Sequence, residues 1–306
     1  MTDQTRPCTL PAGVQPVRRR SPGYPPALEE SSGAPRTLYV LGGSERLARL
    51  TAGPVVAIAG SERPTDYGME MARGLARGLA AAGVTVVSGF ANGIAAASHA
   101  GALEIEGPTV TVMAGGVDVV QPARRRGLYE RVIAGGCAIS ATRCGIKQRP
   151  WSTIVRARTV AALAALTIVV EADEKPWDLR IAHFARARGR TVAAIPGRVT
   201  SPASRGANAL LAEGAPLVRG AGDALDILYG VRPGQADTSS LPSRLRADLR
   251  VILERVGDGA DTPGKLTGAG EDPGETLSAL AELELMGLLG RGDGGRYVPR
   301  QSLAGG

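Results

Sequence analysis

Two glycine-containing turns and a pair of arginines are the parts of this sequence whose residue types and spacing bear on chemistry. Gly60-Ser61 lies between the apolar run Val55–Ala59 and an amphipathic stretch that begins at Tyr67. A glycine there lets the backbone approach an anion, a following helix N-terminus offers unpaired N–H groups, and the serine hydroxyl adds a donor. Ser88-Gly89-Phe90-Ala91-Asn92-Gly93 repeats that arrangement after the run Val84–Ser88. Arg156 and Arg158 stand two apart in an otherwise apolar stretch that opens at Trp151. Residues two apart do not share a helix face, so at least one guanidinium turns to a sheet edge or to solvent. A guanidinium fork matches phosphate oxygens, and an indole stacks a base. Lys175, just past Glu171, reaches the same region. The chemistry on offer is recognition of a ligand that bears phosphates and bases.

Bond-making chemistry has no such support. The cysteines Cys8, Cys137 and Cys144 and the histidines His99 and His183 are not spaced as zinc ligands. No nucleophile–base pair or pair of carboxylates stands out, so no catalytic residue, metal site or cofactor is assigned. His99, alone in a small-residue helix, reads as a packing residue. Each turn also has a plainer reading, since a tight strand-to-helix connection needs glycine for its own geometry.

The elements that position these residues follow from periodicity. Short β-rich runs (Thr37–Leu41, Val55–Ala59, Val84–Ser88, Val110–Met113, Cys137–Ser140, Ile168–Val170 and Thr191–Ile195) alternate with stretches of helical length. In Tyr67–Ala82, Met69, Ala72, Leu75, Ala76 and Leu79 fall on one face with a 3.6-residue period. Such alternation predicts βαβ crossovers and a mostly parallel sheet. Gly60-Ser61, Ser88-Gly89, Gly115-Gly116, Ser140, Glu171 and Pro196-Gly197 all fall at strand carboxyl ends. In an open parallel sheet those ends form one edge, the usual place for a ligand. Residues 1–36, rich in Pro and Arg, are expected to be a basic disordered arm, 37–230 the sheet domain, and 231–243 a linker. Arg244–Val256, Thr262–Leu266 and Glu275–Met286 read as helices before a hairpin at Arg291–Val298, which predicts a small winged-helix domain over 244–306.

With 36 Lys and Arg against 29 Asp and Glu, the net charge of +7 favours an acidic partner. That charge is uneven: residues 241–306 hold eight Arg and Lys against ten Asp and Glu. The expected recognition helix carries Glu275, Glu282 and Glu284 and no basic residue, the reverse of what a major-groove reader needs. A protein-contact or self-association role is expected for it. The longest apolar run, Val160–Val170, is short of the ~20 residues that span a bilayer, and no secretory leader is apparent. The cysteine usage fits a reducing cytoplasm.

Read in order, these motifs resemble the DprA/Smf family (DNA-processing protein A). The matching stretches are Gly60-Ser61 with Tyr67-Gly68, then Val87-Ser88-Gly89-Phe90-Ala91-Asn92-Gly93-Ile94 with His99, and Arg156-Ala157-Arg158. Val169-Val170-Glu171-Ala172 with Lys175, Pro196-Gly197, and Ser204-Arg205-Gly206-Ala207-Asn208 complete the set. The resemblance covers roughly 24–230, and the chain begins too late for the small helical N-terminal domain that many relatives carry. It implies an extended Rossmann-like domain that binds single-stranded DNA, self-associates as a homodimer and loads a RecA-type recombinase, with no catalysis. By the same resemblance the DNA pocket uses Ser61, Ser88, Gly89, Arg156, Arg158, Lys175 and Asn208, and the reading of the turns and of the stretch that opens at Trp151 adds Gly60, Asn92, Gly93 and Trp151 to it. Departures are visible. Glu62 follows Ser61 where the family has arginine, with Arg63 one place later as the substitute. Asn92 and Ala95 replace the Arg and Asp of the family's second motif, and Ser140-Ala141 stands for Ser-Glu. The family's aromatic before the arginines is absent, at about 1–3 kcal/mol per lost base stack unless Trp151 or Trp177 fills the gap. Two rival readings stand beside this one. The first is a paralogue that has lost DNA binding and serves as a scaffold or nucleotide sensor. The second is a nucleotide phosphoribohydrolase of the LOG type, whose Pro-Gly-Gly-x-Gly-Thr-x-x-Glu motif the chain lacks.

Overall fold

The computed structural model describes residues 10–31, 33–230, 247–257, 260–267, 272–285, 288–291 and 296–299. The chain divides into two units, Met1–Gly230 and Val231–Gly306.

In the first unit, β1 (Val14–Arg18), α1 (Pro26–Glu29), β2 (Thr37–Leu41) and α2 (Ser44–Ala52) precede the alternating core. Then come β3 (Val55–Ala59), α3 (Asp66–Ala81), β4 (Thr85–Gly89), α4 (Ile94–Leu103) and β5 (Thr109–Val112). A second run holds α5 (Arg126–Gly135), β6 (Cys137–Ser140), α6 (Pro150–Leu163) and β7 (Leu166–Val169). The unit closes with α7 (Arg180–Arg186), β8 (Thr191–Ala194), α8 (Arg205–Ala212) and α9 (Ala221–Tyr229). Eight strands form one sheet in the order β1-β2-β6-β5-β4-β3-β7-β8. The six from β6 to β8 are parallel.

The parallel strands β3 to β7 are buried along their whole length, without alternation, because helices cover both faces. Val56 and Ile58 point to a core shared with Leu75 and Leu79 of α3, Ile94 of α4 and Ala224 of α9. Val55 and Ala57 point the other way, to Leu28, Leu47 and Val160 of α1, α2 and α6. Helix α3 starts where Thr65 accepts a hydrogen bond from the Gly68 amide, with Asp66 in the first turn favoured by the helix dipole.

The expected disordered arm is corrected over residues 10–31 and 33–36. β1 pairs antiparallel with β2, from Val14 opposite Leu41 to Arg18 opposite Thr37. Val14, Val17 and Leu28 are buried, and Tyr24, also buried, donates its hydroxyl to the Pro35 carbonyl at 2.8 Å. Four apolar anchors spread among prolines and arginines carry no helical or strand period. They are ordered by long-range pairing that composition does not reveal. Pro16 is tolerated because β1 is the outermost strand.

In the second unit, α10 (Ala247–Gly257), α11 (Pro263–Leu266) and α12 (Pro273–Leu285) are followed by β9 (Leu289–Arg291) paired antiparallel with β10 (Tyr297–Pro299). Leu249, Leu266, Leu280, Leu283 and Leu289 form its core. The expected linker 231–243, the first turn expected at 244–246 and the hairpin tip 292–295 lie outside the described residues.

His99 is fully buried in α4 and donates from Nδ1 to the Thr109 hydroxyl at 2.8 Å, because that hydroxyl gives its own proton to the Val86 carbonyl. Burial holds its pKa down to about 4. Above the unfolded value of about 6.5 the imidazole is neutral in both states and stability does not change. As pH falls from there to 4, only the unfolded chain takes up the proton, so the fold loses about 3 kcal/mol. Urea unfolding at pH 7 and pH 4.5 should therefore show a smaller acid loss, by about 2–3 kcal/mol, in His99→Gln than in the wild type. An equal loss in both proteins contradicts the assignment.

Candidate functional site

The carboxyl ends of the parallel strands are tied into a single rim by backbone contacts. The Ser61 amide donates to the Glu171 carbonyl at 2.7 Å, and the Ser61 carbonyl accepts from the Ile94 amide at 3.1 Å. The loops after β3, β4 and β7 are therefore locked together. The Glu171 carboxylate, 2% exposed, accepts from both the amide and the hydroxyl of Thr65 at 2.8 Å. It anchors the start of α3, and Gly68 makes room for it. Gly93, with φ of +64°, sits against the Ser61–Pro64 backbone where any side chain collides.

Within this rim Arg156 is the cation best placed for an anion. It projects from α6 across Gly89, where a Cβ would lie 3.1 Å from its Nε. One Nη donates to the Phe90 carbonyl at 3.3 Å. No carboxylate lies within ion-pair distance of it among the described residues. Burial lowers its pKa, the Glu62 charge opposes that, and the like charge of Arg180 adds to it. A largely buried guanidinium whose one hydrogen bond among the described residues goes to the Phe90 carbonyl, with a second arginine nearby, gains from a phosphate oxygen.

The residues singled out in the sequence separate into three groups. Ser61, Gly89, Asn92, Gly93 and Arg156 gather at the rim, with Arg63 exposed beside them. The Ser61 hydroxyl accepts from the Arg63 amide at 3.1 Å and so shapes its own loop, while Gly60 packs on the Glu171 backbone and Ile94. A second group faces inward. Ser88 is 1% exposed and donates to the Ile58 carbonyl at 2.7 Å. Asn208 uses both amide atoms on the Gly197 backbone, each at 3.0 Å. The third group is exposed. Lys175 pairs with Asp173 at 3.1 Å, and the Trp151 indole is 56% exposed in the first turn of α6. Arg158 turns away from Arg156 and lies over the Phe184 ring of α7, 5.1 Å from its centroid.

Arg124, Arg125 and Arg126 escaped the sequence reading. Arg124 and Arg125 lie in a 3-10 turn (Ala123–Arg125) after β5 and Arg126 opens α5, and Arg125 Nε approaches Asn92 Oδ1 at 3.5 Å. Their signal was the basic triplet itself, placed one loop after a strand end. Among the described residues no group of His, Cys, Asp or Glu could hold a metal ion, and no helix is long and apolar enough to cross a membrane.

An open α/β sheet with Arg63, Arg156 and the Arg124–Arg126 triplet in the loops and helix at its carboxyl edge is a Rossmann-like arrangement suited to a polyanionic ligand. The chain belongs to the DNA recombination-mediator protein A family, which residues 15–229 match. It is 38% identical to a putative DNA processing protein DprA of Mycobacterium tuberculosis over 270 residues, which is 85% of this chain and 68% of the relative. Protein Smf of Escherichia coli is 31% identical over 284 residues, covering 90% and 74% of the two chains. Among solved structures, DNA processing protein A from Streptococcus pneumoniae superposes with a TM-score of 0.66 at 30% identity, over 71% of this chain and 75% of that one. DNA processing protein A from Helicobacter pylori, described for its single-stranded DNA binding mode, gives 0.63 at 26% identity over 71% and 96%.

Proposed function

We propose that this chain binds single-stranded DNA along the carboxyl edge of its sheet and, as a recombination mediator, delivers the strand to a RecA-type recombinase. The observation that carries this reading is the guanidinium of Arg156, largely buried against Gly89 with no carboxylate at ion-pair distance among the described residues. Trp151, 56% exposed, stands in the first turn of the same helix α6, and Trp177, 62% exposed, lies in the loop before α7. Exposed indoles stack unpaired bases and gain nothing from a closed duplex, which favours a single strand over a double one. Ser61, Arg63, Asn92 and the Arg124–Arg126 triplet complete the phosphate-facing side, and Gly60 and Gly93 let the backbone close up behind them. Ser88, Lys175 and Asn208 act on this reading through the loops that they hold.

The protein acts by binding and not by catalysis, and it works as a homodimer in the cytoplasm. The C-terminal unit is a winged helix used for contact with protein, since the helix that would enter a major groove carries acids. Fluorescence anisotropy of the full chain with labelled oligo-dT and a matched duplex, across a salt series, tests the central point. Tighter single-strand binding that weakens steeply with salt is expected, because phosphate contacts release counterions. Equal affinity for the two forms, or no binding at low salt, overturns it.

A further inference from the structure

Helices α6 and α7 line up a further set of cations and rings that continues from the sheet-edge site at Trp151. On α6, Trp151, Ile154 and Arg158 are spaced by three and four residues, so they share one face, and all three are exposed. On α7, Arg180 and Phe184 are spaced by four, and Arg188 follows by four more just beyond the helix end. Arg180 begins this line beside the rim, donating to the Thr153 hydroxyl at 3.2 Å and acting on Arg156 by its charge. Further down, Arg158 covers the Phe184 ring, and Arg188 donates to the Phe184 carbonyl at 2.9 Å and to the Ser31 hydroxyl at 3.0 Å. Gly33, Arg158, Phe184, Ala187 and Arg188 enclose an open cleft of about 390 Å³.

Two features of this cleft point to an anionic occupant. Arg158 and Arg188 stand close enough for their like charges to act on each other. Neither forms an ion pair among the described residues. A structural arginine pair of this kind ordinarily has a carboxylate between its members, as Arg73 and Arg77 have in Glu104. Here no carboxylate takes that place among the described residues, which suits the cleft to an anionic ligand. Arginines alternating with aromatic and apolar surface along a groove match a strand whose phosphates and bases alternate.

We infer that the α6–α7 groove is a second track for single-stranded nucleic acid, which leaves the sheet edge at Arg156 and Arg180 and runs past Trp151 to the Arg158–Arg188 cleft. The inference rests on the single-strand reading above. The seven residues from Trp151 to Arg158 rise about 10 Å, so the track lengthens the contact rather than replacing it.

The test is anisotropy with labelled dT6 and dT20 across a salt series, on the wild type, Arg158→Glu, Arg158→Gln and Arg156→Ala. Arg158→Glu should weaken dT20 at least tenfold while leaving dT6 within twofold, and Arg158→Gln should lower the dT20 salt slope by about 0.7. Arg156→Ala should weaken both lengths. The chain has only two tryptophans, so Trp177→Phe isolates the Trp151 indole, whose emission should be quenched by dT20. Thermal melting confirms that each variant is folded, and Arg158 is exposed enough for both substitutions to be tolerated. Wild-type affinity for dT20 in both Arg158 variants overturns the track. So does equal weakening of dT6 and dT20, which would return Arg158 to the sheet-edge site. Failure of the wild type to bind either oligonucleotide overturns the single-strand reading and the track together, whereas loss confined to Arg156→Ala overturns the track alone.

Discussion

Arg156→Ala lowers affinity for single-stranded DNA by roughly ten- to hundredfold and leaves the fold intact. The estimate follows from one charge-assisted contact, worth about 1.5–3 kcal/mol, with each 1.4 kcal/mol a factor of ten. The guanidinium packs on Gly89 and gives one hydrogen bond to the Phe90 carbonyl, so thermal melting checks that the variant keeps its fold. The loss should be accompanied by a salt slope shallower by about 0.7, the share of one phosphate on a single strand. Gly89→Ala provides a companion that keeps the charge. Its Cβ would stand 3.1 Å from Arg156 Nε and push the guanidinium out of its seat, so binding should weaken in the same direction and by less. Anisotropy with oligo-dT measures both. Unchanged affinity in Arg156→Ala removes the sheet edge from consideration as the binding surface.

The second large effect is on stability. Gly93→Ala should destabilise the first unit by about 2–5 kcal/mol, combining the strain of a non-glycine residue at positive φ with an overpacked contact. The new Cβ would collide with the Ser61 carbonyl oxygen and stand 2.6 Å from Pro64 Cδ and 2.7 Å from the Glu62 carbonyl carbon. The loop cannot retreat, because the Ser61 amide is held by the Glu171 carbonyl and its carbonyl by the Ile94 amide. Those two hydrogen bonds join three strand ends, so the strain spreads across the rim and single-strand binding should decline with it. Urea denaturation decides the matter, and a change below 0.5 kcal/mol would mean that the loop is softer than its bonding implies.

The parallel core was legible because strands covered on both faces are mostly apolar, and Val55–Ala59 carries that mark without interruption. Glycines after strands located the rim for a similar reason, since backbone closeness leaves a trace in composition. Side-chain direction left none. Ser88 sits in a strand whose two faces are both interior, so its polarity did not reveal that its hydroxyl is spent on Ile58. Arg156 and Arg158 were recognisably on different faces of a helix, but which neighbour each would meet depended on α7, more than twenty residues further along. The segment 10–36 was read by its prolines and arginines, although its order comes from pairing with β2 and from a few buried side chains. Asn208 was tied to the site through family resemblance, and its contacts with Gly197 assign it to loop geometry.

The antiparallel pair at the end of the sheet has a kinetic consequence. β2 runs against β6, with Tyr39 opposite Ser140, and β1 reverses direction once more. The carboxyl end of β1 therefore emerges on the same edge as the ends of the parallel strands and delivers the exposed Arg18, Arg19 and Arg20 there. At the opposite end of the strand order from β8, these charges extend the positive field of the rim well beyond the crevice. A polyanion diffusing in from that side is attracted within about 10 Å at ordinary ionic strength, before it can reach Arg156. The N-terminal strand thus widens the angle of productive encounter, and added salt slows association as well as loosening the bound complex.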